Sequence, residues 1–168
     1  MGPVIIRTET PRERNDVRAV NEAAFGRSNE ADLIDRLRAE GAVLASFVAE
    51  CDGQIVGHIL FSRMLIETTG DALSAVALAP LAVRSAQQRQ GIGGQLIRQG
   101  LAWLRERGEH VVLVVGHPAY YARFGFSSDL TRALASPFPA SAFMGLELSA
   151  GALDAVRGHV RYPDAFQL

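Results

Sequence analysis

Residues 73–115 constrain the fold more strongly than any other part of this 168-residue sequence. Leu73–Val83 has the apolar, β-compatible composition of a strand, and a polar, glycine-rich stretch follows it from Arg84 to Gly94. Apolar side chains then recur at helical spacing between residues 96 and 104, and Val111–Val115 is wholly apolar, as parallel strands buried on both faces are. The order strand, helix, strand predicts a β-α-β unit, in which a crossover helix connects two parallel strands.

The sequence also predicts a first strand from Val4, then two helices, and an antiparallel meander of three runs: Val43–Glu50, Ile55–Leu65 and Leu73–Val83, the last being the first strand of the β-α-β unit. Thr10-Pro11-Arg12-Glu13 has the pattern of a capping box with proline at the first helical position. Two β-compatible runs, Val43–Glu50 and Ile55–Leu65, flank an Asp-Gly step, which is typical of a hairpin. Because Pro80 lies inside the third run and cannot donate to a ladder, we expect a bulge or break there.

Downstream of residue 115 the pattern is weaker. It predicts a short helix at 117–123, a strand start at Phe124-Gly125-Phe126, a long loop at 127–141, and a last strand at Phe143–Leu148. Length and the absence of a linker predict one domain over residues 1–168, with a core of about 4–148 and a C-terminal extension at 149–168.

Composition excludes several classes of function. The formal net charge of -1 gives no basic field for nucleic acid, and all 17 cationic residues are arginine, so no lysine can act as a nucleotide-binding, Schiff-base or general-base residue. Cys51 is the single cysteine, and the 4 histidines lack metal-ligand spacing, so we expect no metal. With no signal-like or membrane-length apolar run, we expect a cytoplasmic, bacterial-type protein with no membrane partner.

The stretch Gln88-Arg89-Gln90-Gly91-Ile92-Gly93-Gly94 lies between the predicted strand and helix. Glycines let the backbone approach a ligand, and a helix N-terminus offers unpaired amides to a pyrophosphate. The dinucleotide pattern G-x-G-x-x-G fails because Leu96 occupies the third glycine position, and the P-loop fails for want of lysine. The pattern that fits is Gln-x-x-Gly-x-Gly.

Two motifs together resemble the GCN5-related N-acetyltransferase (GNAT) superfamily. Gln88-Arg89-Gln90-Gly91-Ile92-Gly93 resembles its motif A, and Tyr121, Gly125 and Phe126 match the Tyr-x-x-x-Gly-Phe that commonly follows the β-α-β unit. The sequence motif that begins at Gly116, together with residues 25–38 and 158–166, is similar to the YhbS-like branch of predicted N-acetyltransferases. These matches extend over most of the chain.

The resemblance implies an α/β fold: a twisted mixed sheet of about six to seven strands with helices on both faces. It also implies that acetyl-CoA, as cosubstrate, lies along the strand before the loop and places its pyrophosphate on the loop amides. The implied pantetheine contacts are Leu81, Ala82 and Val83, and the implied pyrophosphate contacts are Gln88, Arg89, Gly91, Gly93 and Gly94. The family transfers acetyl groups to amines, and its members are monomers or homodimers.

Tyr121 occupies the position from which the family tyrosine reaches the CoA sulfur, so the resemblance makes it the general acid; a packed core aromatic is the alternative. No carboxylate lies in residues 76–81, where many relatives carry the base. His58 on the neighbouring strand and Glu30 in the second helix are the remaining candidates, for base and acceptor site respectively. His58 is equally well explained as a hydrogen-bonded histidine of a strand, and Glu30 as an acidic residue that interacts with the helix dipole in the first turn.

The expected reaction is direct transfer from acetyl-CoA to a primary amine of a small molecule, protein N-terminus or lysine. Because the base is missing from its usual position, a non-catalytic acyl-CoA-binding or sensing module is the alternative of a different class. An acyltransferase that uses another acyl-CoA is a third.

Overall fold

The computed structural model describes residues 2–168, which contain eight strands and four α-helices. The strands are β1 (Val4–Thr8), β2 (Val43–Cys51), β3 (Gln54–Glu67), β4 (Leu73–Val83), β5 (Val111–Val115), β6 (Leu134–Ala135), β7 (Phe143–Glu147) and β8 (Gly158–Arg161). The helices are α1 (Arg14–Phe25), α2 (Asn29–Ala39), α3 (Ile92–Glu106) and α4 (Pro118–Tyr121).

The strands form a mixed sheet in the order β1-β2-β3-β4-β5-β7. β4 and β5 are parallel, as the β-α-β pattern predicted, whereas β2 pairs antiparallel with both β1 and β3. β3 is long enough to have two partners, because β2 pairs with it as far as Ser62 and β8 pairs with Leu65–Glu67. The predicted mixed α/β class is confirmed.

The chain divides into two compact units, and the first comprises the chain up to Ser62 together with Ala79–Gly100. Its α1 is preceded by the predicted capping box, in which the Thr10 amide donates to Glu13 Oε1 at 2.8 Å. The turn between β2 and β3 has positive φ at both Asp52 (51°) and Gly53 (76°), the conformation that an Asp-Gly hairpin requires. Fully buried side chains from helices and strands fill its core, among them Val17, Val20, Leu37, Phe61 and Leu96.

The second unit comprises Arg63–Leu78 and Leu101–Leu168. Its core is a cluster of buried residues from six strands and from the segment before β8: Met64, Ile66, Ala75, Ala77, Val111, Leu113, Leu134, Phe143, Leu153 and Val160. The Arg63 guanidinium, which bonds to Glu109 and to the Ala75 carbonyl, fixes the start of β5 beside β4. β5 is then extended by antiparallel pairing with β7.

The break expected at Pro80 does not interrupt the strand, because β4 continues through Pro80 to Val83, with a cis Ala79–Pro80 peptide. What ends early is the pairing with β5, whose register covers Val76 and Ala77 only. The parallel ladder between β4 and β5 has therefore ended before Pro80, which has no N–H to donate to a ladder.

Three expectations for the C-terminal part are wrong. The predicted strand start at 124–126 is a 3-10 turn at Ala122–Phe124 followed by Gly125, and only an isolated bridge joins Ser127 to Gly145. The strand at Phe143 is not the last, since β8 follows it, and the predicted loop 127–141 contains β6. Both missed strands are too short to show a period of two, and pairing with distant strands defines them.

Candidate active site

The loop after β4 differs from its predicted form in where the helix begins. A 3-10 turn at Ser85–Gln87 follows the strand, and α3 begins at Ile92, so that Gly93 and Gly94 lie in its first turn rather than in the loop. The chain reaches this start through left-handed backbone at Arg89 (φ 63°) and Gly91 (φ 82°). The first helical hydrogen bond runs from the Gln95 amide to the Gly91 carbonyl, at 3.0 Å.

This geometry leaves a group of backbone donors unpaired. Within residues 2–168, the amides of Gly91, Ile92, Gly93 and Gly94 donate to no other residue. Four free N–H groups at the positive end of a helix dipole form a site for an anion, and a pyrophosphate has the charge and the oxygens to use it. The absence of side chains at Gly93 and Gly94 keeps that approach open.

Side chains at the base of the loop hold it against the sheet. The Gln88 amide group donates to the Val83 carbonyl at 2.9 Å, which folds the loop back onto the end of β4. The Arg84 amide and its Nε donate to the Val56 and Ile55 carbonyls of β3, at 2.9 and 3.2 Å. The loop therefore starts from a fixed strand end. The Gln88 side chain thus stabilises the loop through its bond to β4. The Arg89 side chain is exposed.

The strand before the loop offers a second set of backbone groups. Leu81 and Val83 are half-buried and Ala82 is buried, and all three lie beyond Ala77, where the pairing with β5 ends. A strand edge without a ladder partner presents N–H and C=O groups that an amide-containing chain can pair with. Pantetheine contains two such amides, so the predicted contacts at Leu81–Val83 have suitable chemistry.

Tyr121 lies in the second unit, at the end of α4, and is 9% exposed. Its ring packs edge-on against Tyr120 and Phe126, with centroids 5.1 and 5.7 Å away. Its hydroxyl makes no hydrogen bond to any residue that the structure describes. Burial, with a smaller contribution from Tyr120, raises the pKa of Tyr121 to about 12, so the phenol stays protonated near neutral pH. It is a proton donor without a hydrogen-bond partner among residues 2–168.

His58 on β3 is completely buried, and both of its ring nitrogens are engaged. Nδ1 lies 3.1 Å from the side-chain nitrogen Nδ2 of Asn21, and Nε2 lies 2.8 Å from Ser46 Oγ. Asn21 Nδ2 also donates to the Val17 carbonyl, and because an amide nitrogen can only donate, His58 Nδ1 is the acceptor. Burial, with the nearby Arg38 charge, lowers the pKa of His58 to about 3. With no free ring nitrogen, this histidine fits the structural alternative rather than a general base.

Ser46, a partner of His58, belongs to a buried network that no sequence pattern predicted. Ser46 Oγ donates to Glu9 Oε1, and Arg38 bonds to both oxygens of the same carboxylate. The Glu9 side chain is 3% exposed, so its charge depends on Arg38 for compensation. These residues come from β2, from α2 and from the residue after β1, and no local spacing in the sequence connects them.

The remaining candidates have no arrangement that favours a catalytic role. Glu30, in the first turn of α2, forms a two-fold hydrogen-bonded ion pair with Arg27, which lowers the pKa of this carboxyl and weakens it as a base. His117 is exposed and precedes α4, whose Tyr120 and Tyr121 amides donate to its carbonyl. Cys51 is buried at the end of β2. In the part of the chain that the structure describes, no group of His, Cys, Asp and Glu side chains could hold a metal ion.

No helix within residues 2–168 has the length and apolar character needed to cross a membrane.

Comparison with known proteins gives consistent matches over almost the whole chain. Residues 5–128 match the family model described as Acetyltransferase (GNAT) domain. Over 166 residues the sequence is 36% identical to the uncharacterized N-acetyltransferase YhbS of Escherichia coli (strain K12), covering 97% of this chain and 98% of YhbS.

Two crystal structures of similar sequence extend the likeness to the fold. The 1.55 Å structure of the GNAT family N-acetyltransferase YhbS from Escherichia coli, in complex with CoA, superimposes with a TM-score of 0.91 at 34% identity and covers 100% of this chain and 94% of that one. A GNAT family acetyltransferase from Brucella melitensis, in complex with acetyl-CoA, gives a TM-score of 0.82 at 37% identity and covers 99% of both chains.

Proposed function

The chain belongs to the GNAT family of acetyltransferases, and from this premise we propose that it transfers the acetyl group of acetyl-CoA directly to a primary amine. The observation that carries the proposal is the set of unpaired amides from Gly91 to Gly94 at the start of α3. The relatives from Escherichia coli and Brucella melitensis were crystallised with CoA and acetyl-CoA, which supports a CoA thioester as the donor.

In this proposal the backbone does most of the donor binding. The amides from Gly91 to Gly94 take the pyrophosphate, and the helix dipole of α3 adds to the attraction. The backbone of Leu81–Val83 pairs with pantetheine in the manner of an added strand. Gln88 contributes by holding the loop to the Val83 carbonyl, and Arg89 supplies positive charge near the phosphates.

The chemical step is nucleophilic attack of a neutral amine on the thioester carbonyl carbon. A C–N bond forms, the carbonyl passes through a tetrahedral oxyanion, and the C–S bond then breaks with its electron pair leaving on sulfur. Tyr121 donates its hydroxyl proton to that sulfur, and the phenolate is later reprotonated from solvent. Two features support this role: the hydroxyl has no other hydrogen-bond partner among residues 2–168, and its raised pKa keeps it protonated.

The proton that the amine must lose goes to water in this proposal. β4 has no carboxylate between Val76 and Leu81, His58 has both ring nitrogens engaged, and Glu30 is paired with Arg27. An amine that is partly neutral at working pH needs no strong base. We therefore expect the rate to rise with pH as the free acceptor amine deprotonates.

The test has a binding arm and a turnover arm. Titration calorimetry with acetyl-CoA and with longer acyl-CoAs measures donor preference, and release of free CoA thiol is then followed across a panel of small amines, amino acids and N-terminal peptides. Acetyl-CoA binding with amine-dependent thiol release supports the proposal. Tight binding with no turnover on any amine would favour the sensing module, and faster turnover with a longer acyl-CoA would favour the other acyltransferase.

A further inference from the structure

Gly116, the residue after β5, lies directly against the ring of Tyr121. A Cβ built on Gly116 would lie 2.5 Å from Tyr121 Cε2 and 3.1 Å from its Cδ2. The Gly116 backbone has little freedom to retreat, because it continues from β5 and its amide donates to the Ala142 carbonyl at 3.0 Å. Any side chain at this position must therefore displace the Tyr121 ring.

The ring is also fixed from its other sides. Tyr120 and Phe126 pack edge-on against it, at interplanar angles of 90° and 80°. The backbone of Tyr121 is held by its amide, which donates to the His117 carbonyl at 3.1 Å, and by its carbonyl, which accepts from the Phe126 amide at 3.3 Å. Gly116 is thus one of the residues whose packing against the ring determines the position of the Tyr121 hydroxyl.

We propose that Gly116 is a positioning residue, whose missing side chain sets the place of the Tyr121 hydroxyl for proton donation to the leaving sulfur. The inference rests on the proposed role of Tyr121. Carbon atoms in ordinary contact are about 3.5 Å apart or more, so a methyl group at position 116 would push the ring by roughly 1 Å. A displacement of that size at a reacting group can lower a rate by about 10²-fold.

The experiment compares Gly116→Ala, Tyr121→Phe and the double variant, with Gly70→Ala as the matched control. Gly70 lies in the exposed turn before β4, where an added Cβ would meet nothing nearer than 3.8 Å. Gly116→Ala should lower kcat by about 10- to 100-fold with little change in the KM for acetyl-CoA. The double variant should be no slower than Tyr121→Phe alone, because both changes remove the same proton donation. Gly70→Ala should behave as the wild type.

A readout independent of turnover is the ionisation of the Tyr121 phenol, measured as ultraviolet absorbance of phenolate in the wild type minus that of Tyr121→Phe. For Gly116→Ala the same signal is the absorbance of that variant minus the absorbance of the double variant. The pH at which the phenol ionises should differ from its wild-type value, because the displaced ring is buried to a different degree. An unchanged titration together with wild-type kcat would overturn the inference while leaving the acid role of Tyr121 intact. Full turnover by Tyr121→Phe would overturn both the positioning role of Gly116 and the acid role of Tyr121. Failure of the proposed function itself is a different result, namely no amine-dependent release of CoA thiol by the wild type.

If Gly116→Ala does not fold, the contact is tested through stability. Adding Tyr121→Leu removes the ring that meets the new methyl group, so Gly116→Ala with Tyr121→Leu should melt close to Tyr121→Leu alone. If the double variant is as unfolded as Gly116→Ala, the methyl group meets something other than the ring, and the inference is wrong.

Discussion

Gly100 on α3 faces the ring of Phe61 on β3 with no room for a side chain between them. Phe61 is fully buried, so its ring cannot swing into solvent to make space. Because α3 begins with the amides that we assign to the pyrophosphate, this contact sets how closely the helix approaches the strand next to β4.

We expect Gly100→Ala to destabilise the protein. Alanine gains roughly 1 kcal/mol over glycine in a helix, but overpacking a buried ring costs about 1–3 kcal/mol, and the second effect should exceed the first. Urea unfolding measures the net change. Gln99→Ala, at the exposed neighbouring position, is the control and should leave the free energy of unfolding nearly unchanged. A more stable Gly100→Ala would show that Phe61 yields easily.

Gly93→Val should abolish most acetyl-CoA binding while the fold persists. The branched side chain would stand in the first turn of α3, where the unpaired amides must meet the pyrophosphate. Calorimetry should give a Kd at least about tenfold weaker, equivalent to roughly 1.4 kcal/mol. Gln99→Val introduces the same residue into an exposed position of the same helix and should bind like the wild type. Equal affinity of both variants for acetyl-CoA would contradict the assignment of the pyrophosphate to the first turn of α3.

Tyr121→Phe separates catalysis from packing. The hydroxyl has no partner within residues 2–168, so its removal orphans nothing and should leave the melting temperature unchanged or slightly raised. Turnover with a competent amine should fall by roughly 10²- to 10⁴-fold, the usual effect of losing a positioned acid, with acetyl-CoA affinity retained. Tyr120→Phe, one residue earlier, should keep most of the activity. Normal turnover with a lowered melting temperature in Tyr121→Phe would contradict the acid role.

The buried His58 should make the protein sensitive to acid. Its folded pKa of about 3 lies below the ordinary histidine value, so between the two values the unfolded state binds a proton that the folded state does not. Stability should therefore fall as pH decreases through that window. His58→Gln should show a shallower dependence in unfolding experiments, although at neutral pH it should lose about 1–3 kcal/mol through unpaired Ser46 and Asn21. His117→Gln removes an exposed histidine instead and should keep the wild-type slope.

The elements that the sequence predicted well are those whose signals are local. Periodicity located β4, α3 and β5, the Asp52-Gly53 step gave the hairpin, and Thr10 and Glu13 gave the capping box. The glycine-rich stretch indicated an anion site because its chemistry depends on a few consecutive residues. A turn or helix start is decided within one or two turns of chain, so its residues can be interpreted without the rest of the molecule.

What the tertiary structure decided depends on partners far along the chain. His58, a base candidate from the sequence, is buried with both ring nitrogens hydrogen-bonded, because α1 and β2 supply Asn21 and Ser46. β8 is a strand because β3 extends beyond β2 and leaves Leu65–Glu67 unpaired until the C-terminal segment returns. The Gly116 backbone is held against the Tyr121 ring by its hydrogen bond to the Ala142 carbonyl, in the distant segment before β7. Burial and long-range pairing arise only when the chain is packed, and no local pattern encodes them.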